Sequence, residues 1–116
     1  MSRASSEISV AKRRQHAALF AALGDETRLS LVNALAGGVP RSIAALSGGA
    51  KISRQAITKH LQSLAVADLI DGRRSGREHL WALNPSRLTE AQRCLDQIAR
   101  HWDDALSRLK THLEES

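Results

Sequence analysis

A chain of 116 residues is enough for one domain with one modest core. With 42% hydrophobic and 25% charged residues it is expected to be globular, and it contains no apolar run of the ~20 residues a membrane helix needs. A single cysteine excludes an internal disulfide and suits a reducing, cytoplasmic setting, and Met1 to Ser6 lack the apolar stretch of a secretory leader. The formal net charge of +5 is unevenly spread: residues 40–77 hold seven cations against two anions, whereas residues 85–116 hold five against six. A basic segment of this kind is the electrostatic footprint expected of a polyanion-binding surface.

In chain order, residues 1–6 are expected to fray and a first helix to occupy 7–23, with Ile8, Ala11, Ala18, Leu19, Ala22 and Leu23 on its apolar side. Gly24 supplies a positive φ to end it, and Asp25 caps a second helix whose core face is Leu29, Val32, Leu35 and Ala36. Gly37-Gly38 stops that helix. Pro40 suits the first turn of a short third helix, 40–47, burying Ile43 and Leu46, and Gly48-Gly49 breaks it. Ser53 is a good cap for a fourth helix reaching residue 67, with Ala56, Ile57, Leu61 and Leu64 inward. A strand from Leu69-Ile70, a basic turn over Arg73-Arg74-Ser75-Gly76-Arg77 and a return strand from His79 to Leu83 form a hairpin, with His79, Trp81 and Leu83 on one face. Asn84-Pro85 opens a last helix over 85–115. Along it Leu88, Ala91, Leu95, Ile98, Trp102, Ala105, Leu109 and Leu113 recur at steps of three and four, a coiled-coil-like seam.

The implied fold is mainly α with a small β-hairpin, in the order ααααββα: a winged helix-turn-helix, with the helix-turn-helix at 40–67, the wing at 69–83 and a dimerisation helix at 85–115. The side chains of the fourth helix explain why double-stranded DNA is the expected partner. A helix fits the major groove, and residues near its N-terminus reach base edges. Ser53, Arg54, Gln55 and Thr58 hold that position here. Arginine can pair with guanine and glutamine with adenine. Lys59 and Ser42 suit phosphates, as do the turn cations Arg73, Arg74 and Arg77. A winged helix that binds protein instead, or one that binds DNA without regard to sequence, uses the same scaffold and stands as the alternative. No phosphate-cradling glycine loop, Ser-His-Asp set or paired-carboxylate pattern points to an enzyme.

Three motifs carry a resemblance to a known family: Ala22-Leu23-Gly24-Asp25-Glu26-Thr27-Arg28-Leu29, then Ile52-Ser53-Arg54-Gln55-Ala56-Ile57-Thr58-Lys59-His60-Leu61, then Leu64 with Leu69-Ile70 and the wing Arg73-x-x-Gly76-Arg77. Over residues 8–84 the chain resembles the ArsR/SmtB family of bacterial repressors. The helix from Pro85, closing with Trp102-Asp103 and Leu106-x-x-Leu109, is similar to one subgroup of it. The resemblance implies a homodimer through the first and last helices, here Ile8, Leu19, Leu88, Leu95, Ile98, Trp102 and Leu109. It also implies repression by occupancy of an operator, often that of the protein's own operon, and release by a signal that the chain does not name, a small-molecule effector being one candidate.

Many members of that family sense metals, by two kinds of site. The paired thiolates of the third-helix site are missing from Arg41 to Ser47. In the last helix His101, His112 and Glu115 reproduce part of the second pattern. Ala99 stands where its leading carboxylate belongs, and the set falls some fourteen residues late. No metal or other cofactor is therefore expected. His101 and His112 are expected at the surface or an interface, His60 as a structural contact, His79 packed in the wing, and Cys94 as a small apolar filler.

Overall fold

The computed structural model describes residues 2–48 and 51–115, the first eight of these by their backbone path alone. The elements are α1 (Ser2–Leu23), α2 (Glu26–Leu35), β1 (Arg41–Ser42), α3 (Ile43–Ser47), α4 (Arg54–Val66), β2 (Ile70–Ser75), β3 (Glu78–Leu83) and α5 (Pro85–Glu115). The winged helix-turn-helix is present, with one strand more than expected. The sheet has three antiparallel strands in the order β1-β3-β2.

The extra strand corrects the third helix. Arg41 lies opposite Trp81 and Ser42 opposite Leu80, so these residues join the sheet and α3 begins at Ile43 rather than at Pro40. Local signals favour a helix at Pro40; a ladder supplied from forty residues away overrides them. Helix α1 starts at Ser2, so residues 2–6 are helical rather than frayed. Gly49 lies outside the described residues, as does the side chain of Ile8.

The end of α1 is built differently from expectation. Among the described residues φ is positive at Gly38, Gly76 and Asp68, and not at Gly24. Helix α1 ends instead on side-chain donors: Arg28 Nε donates to the Ala22 carbonyl at 2.7 Å and Nη2 to that of Ala21 at 3.4 Å. Helix α4 ends in a Schellman arrangement, Leu69 N–H to Leu64 O and Asp68 N–H to Ala65 O, both 3.0 Å. Asp68 takes the left-handed position at φ 59°. It is then tied to the start of α5, accepting Asn84 Nδ2 on its carbonyl at 3.0 Å and Arg87 Nη2 on its carboxylate at 3.1 Å.

The core gathers Leu19 and Ala22 from α1, Leu31, Val32 and Leu35 from α2, Ile57, Leu61 and Leu64 from α4, then Leu69, Ile70, Trp81 and Ala91. The face of α2 is turned by about one residue position from the expected one: Leu31 is buried, while Leu29 is 51% exposed and Ala36 lies outside. Burying Leu31 beside Val32 and Leu35 rotates the helix so that Leu29 points away.

Helix α5 leaves this core after its first turns. Ala91 is its one buried residue among those described, and Leu88 packs half-buried beside it. Thirty-one residues of helix extend about 46 Å. The radius of gyration is 19.2 Å, against the ~13 Å of a compact chain of this length. Most of α5 therefore projects from the domain.

Candidate nucleic-acid interface

Helix α4 is seated from its apolar side. Ile57, Leu61 and Leu64 are at most 1% exposed, so the opposite side, bearing Gln55, Lys59 and Gln62, faces solvent, and Arg54 is exposed in the first turn. Ser53 caps it, its Oγ accepting the Ala56 N–H at 3.1 Å. Thr58 Oγ1 donates to the Arg54 carbonyl at 2.9 Å. That bond commits the hydroxyl proton, leaving Thr58 as an acceptor and a methyl contact. Ser42 likewise caps α3, its Oγ accepting the Ala45 N–H at 3.2 Å while its own proton remains free to donate. Both serines thus shape helix starts before they can touch anything else.

What orients α4 is a cluster of which the sequence marked Asp25 as a helix cap and His60 as a structural contact, without the arginine that joins them. Asp25 caps α2 by accepting the Arg28 N–H at 2.9 Å. Arg28, while capping α1, brings Nη1 to 3.3 Å from His60 Nδ1, and His60 lies 3.8 Å from the Asp25 carboxylate. The guanidinium can only donate, so Nδ1 is the acceptor in this contact. Helices α1, α2 and α4 are thereby joined at one point. The Arg28 N–H, aided by the guanidinium charge of Arg28, holds the Asp25 carboxyl below its ordinary range against the smaller opposing effect of burial. The family-like Asp-x-x-Arg spacing was the signal available for this cluster.

The wing differs from expectation in where its arginines sit. Arg73 and Arg74 belong to β2, opposite Leu80 and His79, and only Gly76-Arg77 form the turn. Gly76, at φ 64°, holds the first central position of that two-residue turn, where hairpin geometry favours glycine. Consecutive strand residues point to opposite faces, so Arg73 and Arg74 present charge on both sides of the wing and Arg77 at its tip. All three are exposed. The His79 ring stacks on Trp81, centroids 4.5 Å apart and planes 19° from parallel. This stack crosses the sheet over Gly72, where a Cβ would strike His79 Nε2 and crowd Trp81. Sequence reasoning placed His79 on Trp81's face but assigned Gly72 nothing; its need for glycine is created by the opposite strand.

The cations divide into two sets. Arg87 is bound to Asp68 at 3.1 Å and Glu90 at 2.9 Å, which raises its already high pKa, and Arg28 is spent on carbonyls. Arg54, Lys59, Arg73, Arg74 and Arg77 have no carboxylate within 4 Å among the described residues. Arg41, exposed on β1 beside β3, joins this second set and was not singled out from the sequence. Uncompensated charge on one helix and the neighbouring hairpin is what a phosphate backbone requires.

A helix-turn-helix domain model matches residues 23–73, from the end of α1 into the wing. Over 86 residues the chain is 35% identical to the HTH-type transcriptional regulator Rv2034 of Mycobacterium tuberculosis, covering 74% of this chain and 77% of that one. The solved structure of an ArsR-like transcriptional regulator from Rhodococcus sp. RHA1 superposes with a TM-score of 0.75 at 34% identity, over 85% of this chain and 92% of that one. The chain belongs to the ArsR family of helix-turn-helix transcriptional regulators. The regulator is thus a DNA-binding protein of transcription control, in a family that is not enzymatic. Its fold is also that of the homodimeric winged helix-turn-helix domain of Mb0332 from Mycobacterium bovis, TM-score 0.62 at 22% identity, over 86% of this chain and 89% of that fragment. Among the described residues no helix is long and apolar enough to cross a membrane.

The expected interface residues do not stay together. Leu19 is 2% exposed and belongs to the protomer's own core, which corrects its assignment to a dimer surface. Leu88 is likewise docked on its own core. The reason is that α1 and the first turns of α5 are used to close the domain. Leu95, Ile98, Trp102 and Leu109 remain, each more than half exposed. Of the metal candidates, His101 and His112 stand eleven residues apart on one helix, about 16 Å along its axis, so one protomer cannot bring both to one ion. Cys94 is half-buried.

Proposed function

We propose that the regulator is a homodimeric repressor that reads a pseudo-palindromic operator, that of its own gene included, and that a signal releases it. The observation that carries this is the pairing of two unsatisfied surfaces on one chain: free cations on α4 and the wing, and an apolar seam on α5. Ile98 is 58% and Trp102 65% exposed, and a seam of this kind needs a partner helix. Two-fold pairing through α5 gives two copies of α4, and successive major-groove faces lie roughly 34–36 Å apart. The homodimeric Mb0332 domain supports this assembly for the same fold.

In this reading Arg54 and Gln55 touch base edges. Thr58 offers its methyl and acceptor lone pairs. Ser42, Ser53 and Lys59 hold phosphates beside the groove, and Arg73, Arg74 and Arg77 follow the backbone outward along the wing. Fluorescence anisotropy with the promoter upstream of its own gene, against a scrambled duplex at fixed physiological salt, tests this. Selective binding by two protomers per site is expected, with the specific duplex preferred by about 10³ or more. Discrimination below about tenfold would overturn sequence-specific reading. Unchanged output from a reporter under that promoter when the gene is deleted would overturn repression of its own operon.

A further inference from the structure

Between α1 and α5 lies a cavity of about 380 Å³, lined by none of the residues assigned above to DNA. Its size falls within the roughly 300–1,000 Å³ of small-molecule pockets. One wall is a single face of α1, with Lys12 and His16; the other is a stripe of α5 bearing Arg93, Cys94, Gln97 and Arg100. At about 100° of turn per residue, that stripe lies roughly 150° around α5 from the exposed apolar seam. A partner helix seated on the seam therefore leaves the cavity open.

The charge of this cavity sets it apart. Lys12, Arg93 and Arg100, all exposed, line it from two helices, and among the described residues none has a carboxylate within 4 Å. The carboxylate on the wall, Glu90, is already held by Arg87 at 2.9 Å. Asp96 lies three and four residues from the two arginines and is bridged to neither within 4 Å. Like charges gathered in one hollow repel, and a ligand with several negative groups relieves that repulsion. Guanidinium forks match carboxylate and phosphate oxygens in pairs, and the Gln97 amide and His16 ring add neutral hydrogen bonds.

We propose that this cavity binds a small polyanion bearing carboxylate or phosphate groups, and that it is the effector site of the regulator. The effector role rests on the release-by-signal reading above; the binding does not. Because the site bridges α1 and α5, its occupant couples the core to the projecting helix.

Cys94, the chain's single thiol, lines the cavity and serves as a reporter. The full-length protein without DNA is labelled by an anionic disulfide, dithiobis-nitrobenzoate, and in parallel by neutral dithiodipyridine. In both reactions the Cys94 thiolate attacks the reagent's disulfide, a mixed disulfide forms and an aromatic thiolate leaves. The fraction of Cys94 present as thiolate cancels in the ratio of the two rates, which therefore reports the local field.

At constant ionic strength the anionic-to-neutral ratio is expected to exceed that of the unfolded chain, and to fall about threefold or more in the exposed-site variant Lys12→Gln/Arg100→Gln. Millimolar citrate or inorganic phosphate is expected to slow labelling of the native protein and not of the variant. Protection by citrate alone assigns carboxylates, and by phosphate alone a phosphate group. A ratio equal to that of the unfolded chain, with no protection by either anion, would overturn the site. If the protecting anion leaves operator affinity unchanged, the effector role fails while the site stands. If the promoter duplex is not bound even without the anion, it is the repressor reading that fails.

Discussion

Helices α4 and α5 carry apolar residues at the same three- and four-residue steps, and they satisfy them by different means. In α4, Ile57, Leu61 and Leu64 are buried within the protomer. In α5, Leu95, Ile98, Trp102 and Leu109 lie more than half exposed. The difference comes from length and anchorage. Helix α4 has 13 residues and sits between α2 and the sheet, whereas α5 has 31 and is held to the domain only over its first turns. Periodicity therefore announces that a face must be buried, without saying whether the same chain or another does it.

The two kinds of burial respond differently to mutation. Leu61→Ala should destabilise the protomer by about 2–5 kcal/mol, because it opens a cavity at a fully buried site. Chemical denaturation followed by far-UV circular dichroism measures this. The loss should be present at every protein concentration. Ile98→Asp should leave the helical signal intact, since the residue is 58% exposed, and should weaken self-association by about 2 kcal/mol or more. Sedimentation at low micromolar concentration checks this; an unchanged association constant would place the interface elsewhere.

A smaller effect separates the exposed side of α4 from the wing. Gln55→Ala should cost about 1–3 kcal/mol at one base pair while sparing random DNA. Arg74→Ala should weaken all duplexes alike and reduce the slope of log affinity against log salt by about 1. Competition titrations over a salt series distinguish the two. Equal losses for specific and random DNA in Gln55→Ala would remove that residue from base reading.

The smallest effect concerns the cluster that orients α4. Asp25 has a folded pKa below its unfolded value, so its contribution to stability is present above the ordinary carboxylate range and is lost as pH falls through the depressed value. The acid limb of a melting-temperature profile should therefore be flatter in Asp25→Asn, whose amide retains the helix cap without titrating. An unaltered limb would mean that other carboxylates dominate acid unfolding.

Much of the site was legible in the chain because it is locally encoded. Ser53 before an apolar repeat marks the start of α4. Gly76 marks the hairpin turn, and Asn84-Pro85 opens α5, as its bounds show. The misplaced parts all depend on distant partners. Arg41-Ser42 becomes a strand because β3 pairs with it. Arg73 and Arg74 leave the turn because the ladder runs on to Ser75 and Glu78. Leu19, which looked like interface, was taken into the core, and Leu29, which looked like core, was left outside.

By itself, then, the sequence determined the starts of α2, α4 and α5, the basic segment and the family, because caps, turns, charge and short motifs act over a few residues. Only the tertiary structure decided which apolar faces close on the protomer and which remain open, which arginines are spent on carboxylates and carbonyls, and that α1 and α5 bring Lys12, Arg93 and Arg100 to the rim of one open hollow. Those outcomes depend on how elements far apart in the chain pack together, and no local pattern carries that information.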